Sequence, residues 1–212
     1  MHHAELVWVT PDAEKLIGKI ARVSNPKNED NPKVTKLLTH MIKEEHWSPF
    51  EMANMCVEIH TTRAIAPQIL RHGKGFSFQE FSQRYAEATN VHMPELRRQD
   101  TKNRQNSIPD LPKHLVALYK EQIADHMMDA MHLYHTLLEA GVAKECARAV
   151  LPLNVCTRLY MSGPLRSYMH YINLRTGNGT QKEHQLIAQS IKDIFQEQFP
   201  IISSVMWPQE ET

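Results

Sequence analysis

The longest rhythm in the chain runs over residues 112–141 and commits that stretch to one helix. Leu115, Leu118, Gln122, His126, Met131, Tyr134 and Leu138 recur at i, i+3/i+4 spacing but for the step from His126 to Met131. Pro112 opens the helix without losing a needed donor, and Gly141 supplies the stop. A different period governs residues 51–60. There Ala53, Met55, Val57 and Ile59 fall on one face and Asn54, Glu58 and His60 on the other, the pattern of a half-buried strand. Shorter strands are predicted at 6–9 and 155–161. Helices are predicted over 12–23, from Asn31-Pro32 to about 45, and from a Thr61 or Thr62 cap to about 71. Further helices cover 143–150, run from Pro164 to about 174, and span 181–198, where Phe199-Pro200 breaks the last one. Residues 86–112 read as a polar surface excursion. No repeat or linker divides the chain, so residues 1–212 are expected to form one α+β domain.

Composition removes several classes of protein. Apolar residues make up 42% and charged residues 23%, ordinary globular usage, and Lys+Arg balances Asp+Glu at 24 each. No apolar run approaches the roughly 18 residues of a membrane span. The N-terminal residues lack the basic-then-apolar pattern of a secretion signal. Cys56, Cys146 and Cys156 form no CxxC, which predicts a reducing, cytoplasmic setting (host cytoplasm for a viral protein) and no disulfide framework. All three read as packing residues. His126, His132 and His135 have no acid at H-E-x-x-H spacing and read as a helix face, so no metal site is expected.

The neutral total hides two acid-free stretches. Residues 59–79 carry Arg63, Arg71, His72 and Lys74, and residues 146–181 carry Arg148, Arg158, Arg166 and Arg175. Arginine offers a planar fork that fits phosphate or carboxylate. Distant acids, such as those of 121–145, are the alternative partners. Taken together the stretches favour a polyanionic ligand, and the neutral total favours a nucleotide over a long nucleic acid. Residues 68–85 are the densest constellation, with Gly73 and Gly75 allowing close backbone approach to a ligand. They contain neither a Walker loop nor GxGxxG.

These residues resemble the signature of the flavin-dependent thymidylate synthases. Arg71-His72 followed by Gln79-Glu80-Phe81-Ser82-Gln83-Arg84-Tyr85 resembles the R-H-R, serine, arginine-tyrosine pattern of that family. His46-Trp47-Ser48-Pro49-Phe50-Glu51 is similar to its H-x-[ST]-P-F-E segment, and Gln68 stands three residues before Arg71 as it does there. Arg148-Ala149-Val150-Leu151-Pro152 is similar to R-x-x-L-P, and Arg166, His170 and Asn173-Leu174-Arg175 match R-x-x-x-[NH]-[FY]-x-x-L-R. The resemblance covers roughly residues 20–200 in order. It departs at Gly73, where the family carries arginine. The spacer is one residue longer here, which makes Gly73 an insertion with a positive φ and Lys74 the substitute cation.

The resemblance implies a central, largely antiparallel sheet packed with long helices. It implies the reductive methylation of dUMP to dTMP, with methylenetetrahydrofolate as carbon donor and FAD, restored by NADPH, as source of hydride. Arg175 is then the activating residue. Gln68, Arg71, Glu80, Ser82, Gln83, Arg84, Arg148 and Arg175 are assigned to dUMP, and Ser48, Arg71, His72, Lys74, Glu80, Arg166 and His170 to FAD. His46 is placed at the flavin or folate face. Glu80 orients Arg71 or Arg84, or contacts ligands at a subunit boundary, and Tyr85 reads as packing. Family members are homotetramers with active sites between subunits, and Met127, Met128 and Met131 suit either such packing or the core. No membrane and no obligate nucleic acid is implied. The rival readings are a non-catalytic homologue that binds dUMP or RNA, motivated by Gly73, and a flavin transferase acting on a different pyrimidine.

Overall fold

The computed structural model describes residues 1–208. Its frame follows from the period-two segments. β2 (Asn54–Thr62) is flanked by β1 (His3–Val9) and β6 (Cys156–Pro164), and β3 (Ser77–Glu80) pairs with the far side of β6. The sheet order is β1-β2-β6-β3, and every pairing is antiparallel. Val57 faces Met161 and Ile59 faces Leu159 across the β2–β6 ladder, and all four are fully buried. Cross-strand apolar pairs of this kind are the unit of sheet stability.

Helices cover that inner face. α6 (Leu165–Arg175) follows β6 directly, and α7 (Lys182–Gln198) packs on α6 and β1. Tyr168 and Tyr171 of α6 and Ile187, Ile191 and Phe195 of α7 are fully buried. The Tyr168 hydroxyl donates to the Met161 carbonyl at 2.7 Å, so that ring reaches the core without an orphaned oxygen. Ser190 of α7 clips the edge strand, accepting from the Ala4 amide at 3.0 Å and donating to its carbonyl at 3.1 Å. α1 (Ala13–Ala21), α2 (Thr35–Lys43) and the short α3 (Ala66–Leu70) complete the main core.

Several boundaries differ from expectation. α2 begins at Thr35 rather than at Asn31-Pro32. The buried Arg22 takes the carbonyls of Asn31 (2.6 Å) and Lys33 (2.9 Å), and the Asn31 side chain accepts from the Lys33 amide, so this backbone is already engaged. Thr61 and Thr62 are buried strand residues and cap nothing; α3 starts after Ile65. β6 extends to Pro164, past the expected end. Pro200 breaks α7 and also opens α8 (Pro200–Met206), which the sequence reading did not include.

α4 (Lys113–Glu139) matches its predicted bounds and Gly141 follows at φ 84°, but its buried residues are Met127, Ala130 and Tyr134. Gln122 and His126 are exposed. Tyr134 packs with Ala88, Ala147 and Val155 in a second, smaller cluster, beside α5 (Lys144–Ala147) and a 3-10 turn at Arg148–Val150. The polar excursion is a loop with one small hairpin, β4 (Arg98–Gln99) and β5 (Ser107–Ile108). It is tied down by Arg97, whose guanidinium donates to Glu95 at 2.9 Å and to Glu183 of α7 at 2.7 Å. Among the described residues no helix is long and apolar enough to cross a membrane.

Candidate active site

α6 delivers the first half of the site. Arg166 and His170 are one turn apart on a single face. That face borders a cavity of about 530 Å³ lined also by Trp47, Glu51, His72, Lys74 and Phe76. The cavity therefore gathers His72, Lys74, Arg166 and His170 of the expected flavin set. Ser48 opens the 3-10 turn Ser48–Glu51, whose Glu51 pairs with Arg166, but Ser48 itself does not line the cavity. His46 lies edge-on to His40 with ring centroids 5.9 Å apart. A larger groove of about 750 Å³ lies between residues 9–15, 32–36 and 198–201 and holds none of the expected site residues.

The loop from α3 to β3 reaches the cavity through a close contact. Gly75 sits at φ 92°, and a Cβ there would lie 2.3 Å from Ser167 Oγ. Gly163 faces it: a Cβ on Gly163 would lie 2.4 Å from the Gly75 carbonyl. Gly73 does not have the expected positive φ, and a Cβ on it would meet only the Leu70 carbonyl at 3.7 Å. The residue that must be glycine is thus Gly75. Lys74 lines the cavity, whereas Gly73 does not.

Arg175, the last residue of α6, donates from Nε to His72 Nε2 at 2.8 Å. Burial, then the charge of Arg175, then that of His170, lower the His72 pKa to about 4. The ring is therefore neutral at physiological pH and free to accept this bond. Behind it, Tyr171 and His184 share a hydrogen bond of 3.0 Å between the hydroxyl and Nε2. His72 lies edge-on to both rings, at 5.0 and 6.3 Å. His184 is fully buried with Nδ1 unpartnered, and burial above all lowers its pKa to about 3. Neither Tyr171 nor His184 was singled out from the sequence. Tyr171 falls at the aromatic place of the α6 motif, but nothing local marks His184.

The second half stands at the other end of β3, about 10 Å from Ser77 at the usual strand rise. Glu80 holds Arg63 and accepts from Thr157 Oγ1 at 3.0 Å, so its partner is neither Arg71 nor Arg84. Ser82 Oγ accepts from the Arg84 amide at 3.3 Å. Gln83 is buried with its side-chain nitrogen unpartnered. Arg84 pairs with Glu145 at 3.0 Å through half-exposed side chains. Tyr85 is 87% exposed, so it does not pack within this chain. Gln68 donates to Gln181 at 2.7 Å. Among the described residues Arg71, Lys74, Arg148 and Arg175 have no carboxylate partner. Burial raises the thiol pKa of Cys56 and of Cys156, a setting that works against a thiolate.

A cavity lined by cationic and imidazole groups together with Glu51, Trp47, Phe76, Met169 and Met206 has the mixed charged and apolar lining of a small-molecule site. The sequence model of the thymidylate synthase complementing protein family matches residues 5–201, and the chain belongs to that family. It is 51% identical over 193 residues to a flavin-dependent thymidylate synthase of Synechocystis, covering 91% of this chain and 89% of that one. It is 47% identical over 196 residues to a probable flavin-dependent thymidylate synthase of Paramecium bursaria Chlorella virus 1, covering 92% and 90%. Among solved structures, the UMP/dUMP methylase PolB of Streptomyces cacaoi, bound with 5-Br dUMP, aligns with a TM-score of 0.84 over 97% of this chain and 94% of that one. At 24% identity that likeness is one of fold.

Proposed function

We propose that the chain is a flavin-dependent thymidylate synthase that reductively methylates dUMP to dTMP. Methylenetetrahydrofolate is the carbon donor, and FAD, when bound and reduced by NADPH, supplies the hydride. The observation that carries this reading is the cavity at the end of α6, which gathers the motif residues His72, Lys74, Arg166 and His170, in a chain about half identical to named enzymes of this kind.

The residues fit a flavin. Lys74 has no carboxylate partner among the described residues and suits a phosphate, and Trp47 and Phe76 suit a flat ring. Gly75 lets the backbone beside Lys74 pass against Ser167 at the cavity wall, where a Cβ would clash. We assign His72, Lys74, Arg166 and His170 to holding it in the cavity, and Ser48 and Arg71, which lie outside the cavity lining, to the parts of the flavin that extend beyond it.

Arg175 is the activating residue. Its Nε is anchored on neutral His72, and among the described residues its two Nη groups have no protein acceptor. A guanidinium held in that way favours the N3-ionised, electron-rich pyrimidine that must attack carbon, because a preorganised donor stabilises charge as it develops. Gln68, Ser82, Gln83, Arg84 and Arg148 are assigned to the sugar and phosphate of dUMP. The Arg84–Glu145 pair is exposed, and such pairs contribute about 0–1 kcal/mol, so phosphate can replace Glu145 at little cost. Glu80 supports this end of the site by holding Arg63. A homotetramer with the site completed between subunits is part of this reading. The test is anaerobic: the reduced protein is mixed with dUMP and methylenetetrahydrofolate, and flavin oxidation and dTMP are followed. Oxidation without dTMP, or no dUMP dependence, refutes the assignment.

A further inference from the structure

β1 and β2 bring four ligand-type side chains together on the outer face of the sheet. His3 stands opposite His60, and Glu5 stands opposite Glu58. Residues two apart share a face, so the four form a square, and the intervening pair Ala4 and Ile59 turns to the core. Opposed like charges destabilise a sheet. Glu58 is relieved by Arg158 at 3.2 Å and by the Tyr160 hydroxyl, and His60 Nε2 lies 3.4 Å from it. Glu5 has no partner but His3 among the described residues.

The His3 ring carries the argument further. Its Nδ1 lies 2.8 Å from the Met1 carbonyl, which can only accept, so Nδ1 bears the hydrogen. In the neutral ring Nε2 is then a lone pair, and it lies 3.2 Å from Glu5 Oε1, a second acceptor. Two acceptors at that separation need a cation between them, either the proton that makes His3 an imidazolium or a metal ion. The His60 ring stacks on His3, with centroids 4.9 Å apart and planes within 5°. One ligand atom from each of His3, Glu5 and His60 lies within 4.8 Å of the other two.

We propose that His3, His60 and Glu5 bind a divalent transition-metal ion of the Zn²⁺ class, at a surface site separate from the cavity. Two imidazole nitrogens and one carboxylate oxygen suit Zn²⁺ or Co²⁺ and leave a fourth position for water; Mg²⁺ prefers an all-oxygen shell. Ligand atoms about 2.0–2.2 Å from a tetrahedral ion lie roughly 3.4 Å apart; His3 Nε2 and Glu5 Oε1, at 3.2 Å, already stand at that spacing, and His60, whose nitrogen lies within 4.8 Å of both, has to turn out of the stack to aim its lone pair at the same ion. The Met1 carbonyl orients His3 as outer partners of metal-bound imidazoles commonly do. The ion would fasten the edge strand β1 to β2.

The test uses untagged full-length protein stripped of metal. Calorimetric titration with Zn²⁺ is expected to give one ion per chain. His3→Ala, His60→Ala and Glu5→Gln are each expected to weaken binding at least tenfold, while His2→Ala and His92→Ala leave it unchanged. Zn²⁺ should raise the melting temperature of the wild type and not that of His60→Ala. No uptake of Zn²⁺ would show His3 and Glu5 to be a simple ion pair and overturn the proposal. Binding lost in His3→Ala yet kept in His60→Ala or Glu5→Gln would place the ion on the N-terminal segment alone and overturn it as well. So would binding that depends on His2 or His92.

Discussion

His184 makes the fold acid-sensitive below the ordinary histidine range. Its fully buried ring has a pKa lowered from 6.5 to about 3, mainly by burial and then by the charge of Arg175. A group whose folded form resists protonation leaves the unfolded state holding more protons, so stability falls as pH drops below 6.5 and levels off near 3. Each pKa unit is about 1.4 kcal/mol, so at a pH two units under the ordinary value the loss from this residue is about 3 kcal/mol. That is a large part of the roughly 5–15 kcal/mol that holds a domain together. His72, with a pKa near 4 and a half-buried ring, adds to the loss in the same window by a smaller amount. The perturbation is His184→Gln, which keeps an amide within reach of the Tyr171 hydroxyl and removes the titration. Urea unfolding of both proteins, flavin-free and at one protein concentration, is measured from pH 7.5 to 4.5. The variant starts less stable, but the gap should narrow by about 3 kcal/mol across that range. A gap that stays constant to within about 1 kcal/mol would show that the buried ring is already protonated, or is hydrated, and would refute the reasoning.

Three further outcomes follow from the site. Arg175→Ala should cost roughly two to three orders of magnitude in dTMP formation while flavin stays bound, since the guanidinium acts on the pyrimidine; turnover and flavin absorbance are read on the same sample, and near-normal turnover sinks the role. Gly75→Ala should destabilise by about 1–3 kcal/mol, because φ is 92° and the new methyl meets Ser167, whereas Gly73→Ala should stay within about 0.5 kcal/mol by thermal melting. Lys74→Ala should weaken flavin binding and Gly73→Arg should not tighten it, as a flavin titration of the two variants will show.

Most of the frame was legible because burial is one-sided. Met55, Val57 and Ile59 had to share a face once β2 was half buried, and Arg166 and His170 had to share one once α6 was a helix. What was illegible depends on partners remote in sequence. Asn31-Pro32 carries a sound helix-start signal, but Arg22 claims the nearby carbonyls and delays the helix to Thr35. The α4 seam runs through Met127, Ala130 and Tyr134 because that helix rests on the small cluster with Ala88 and Val155. The rhythm alone could not tell a thin contact from a broad one. The Tyr171–His184 pair joins two helices, and a histidine within an amphipathic pattern gives no sign of what lies opposite it.

The acid-free stretches show how far charge can be read before folding. Their arginines are neutralised only by carboxylates brought from outside: Arg63 by Glu80, Arg158 by Glu58 and Arg166 by Glu51. The first of these pairs is the most enclosed, with side chains 33% and 17% exposed, and losing one partner there would strand the other charge. Arg63 is therefore a support for the β3 end, and the imbalance overstated the site by counting it. Arg166 differs, because its pair with Glu51 is about half exposed and borders the cavity, so an arriving phosphate can compete for it. Folding thus sorts one run of like charges into two kinds. Arg63 is fixed by an enclosed acid, while among the described residues Lys74 and Arg175 keep their charge uncompensated beside the neutral ring of His72. Charges of the second kind, and loosely paired ones such as Arg166, can answer a polyanionic ligand, and no count along the chain separates them from Arg63, because the deciding carboxylate lies on another element.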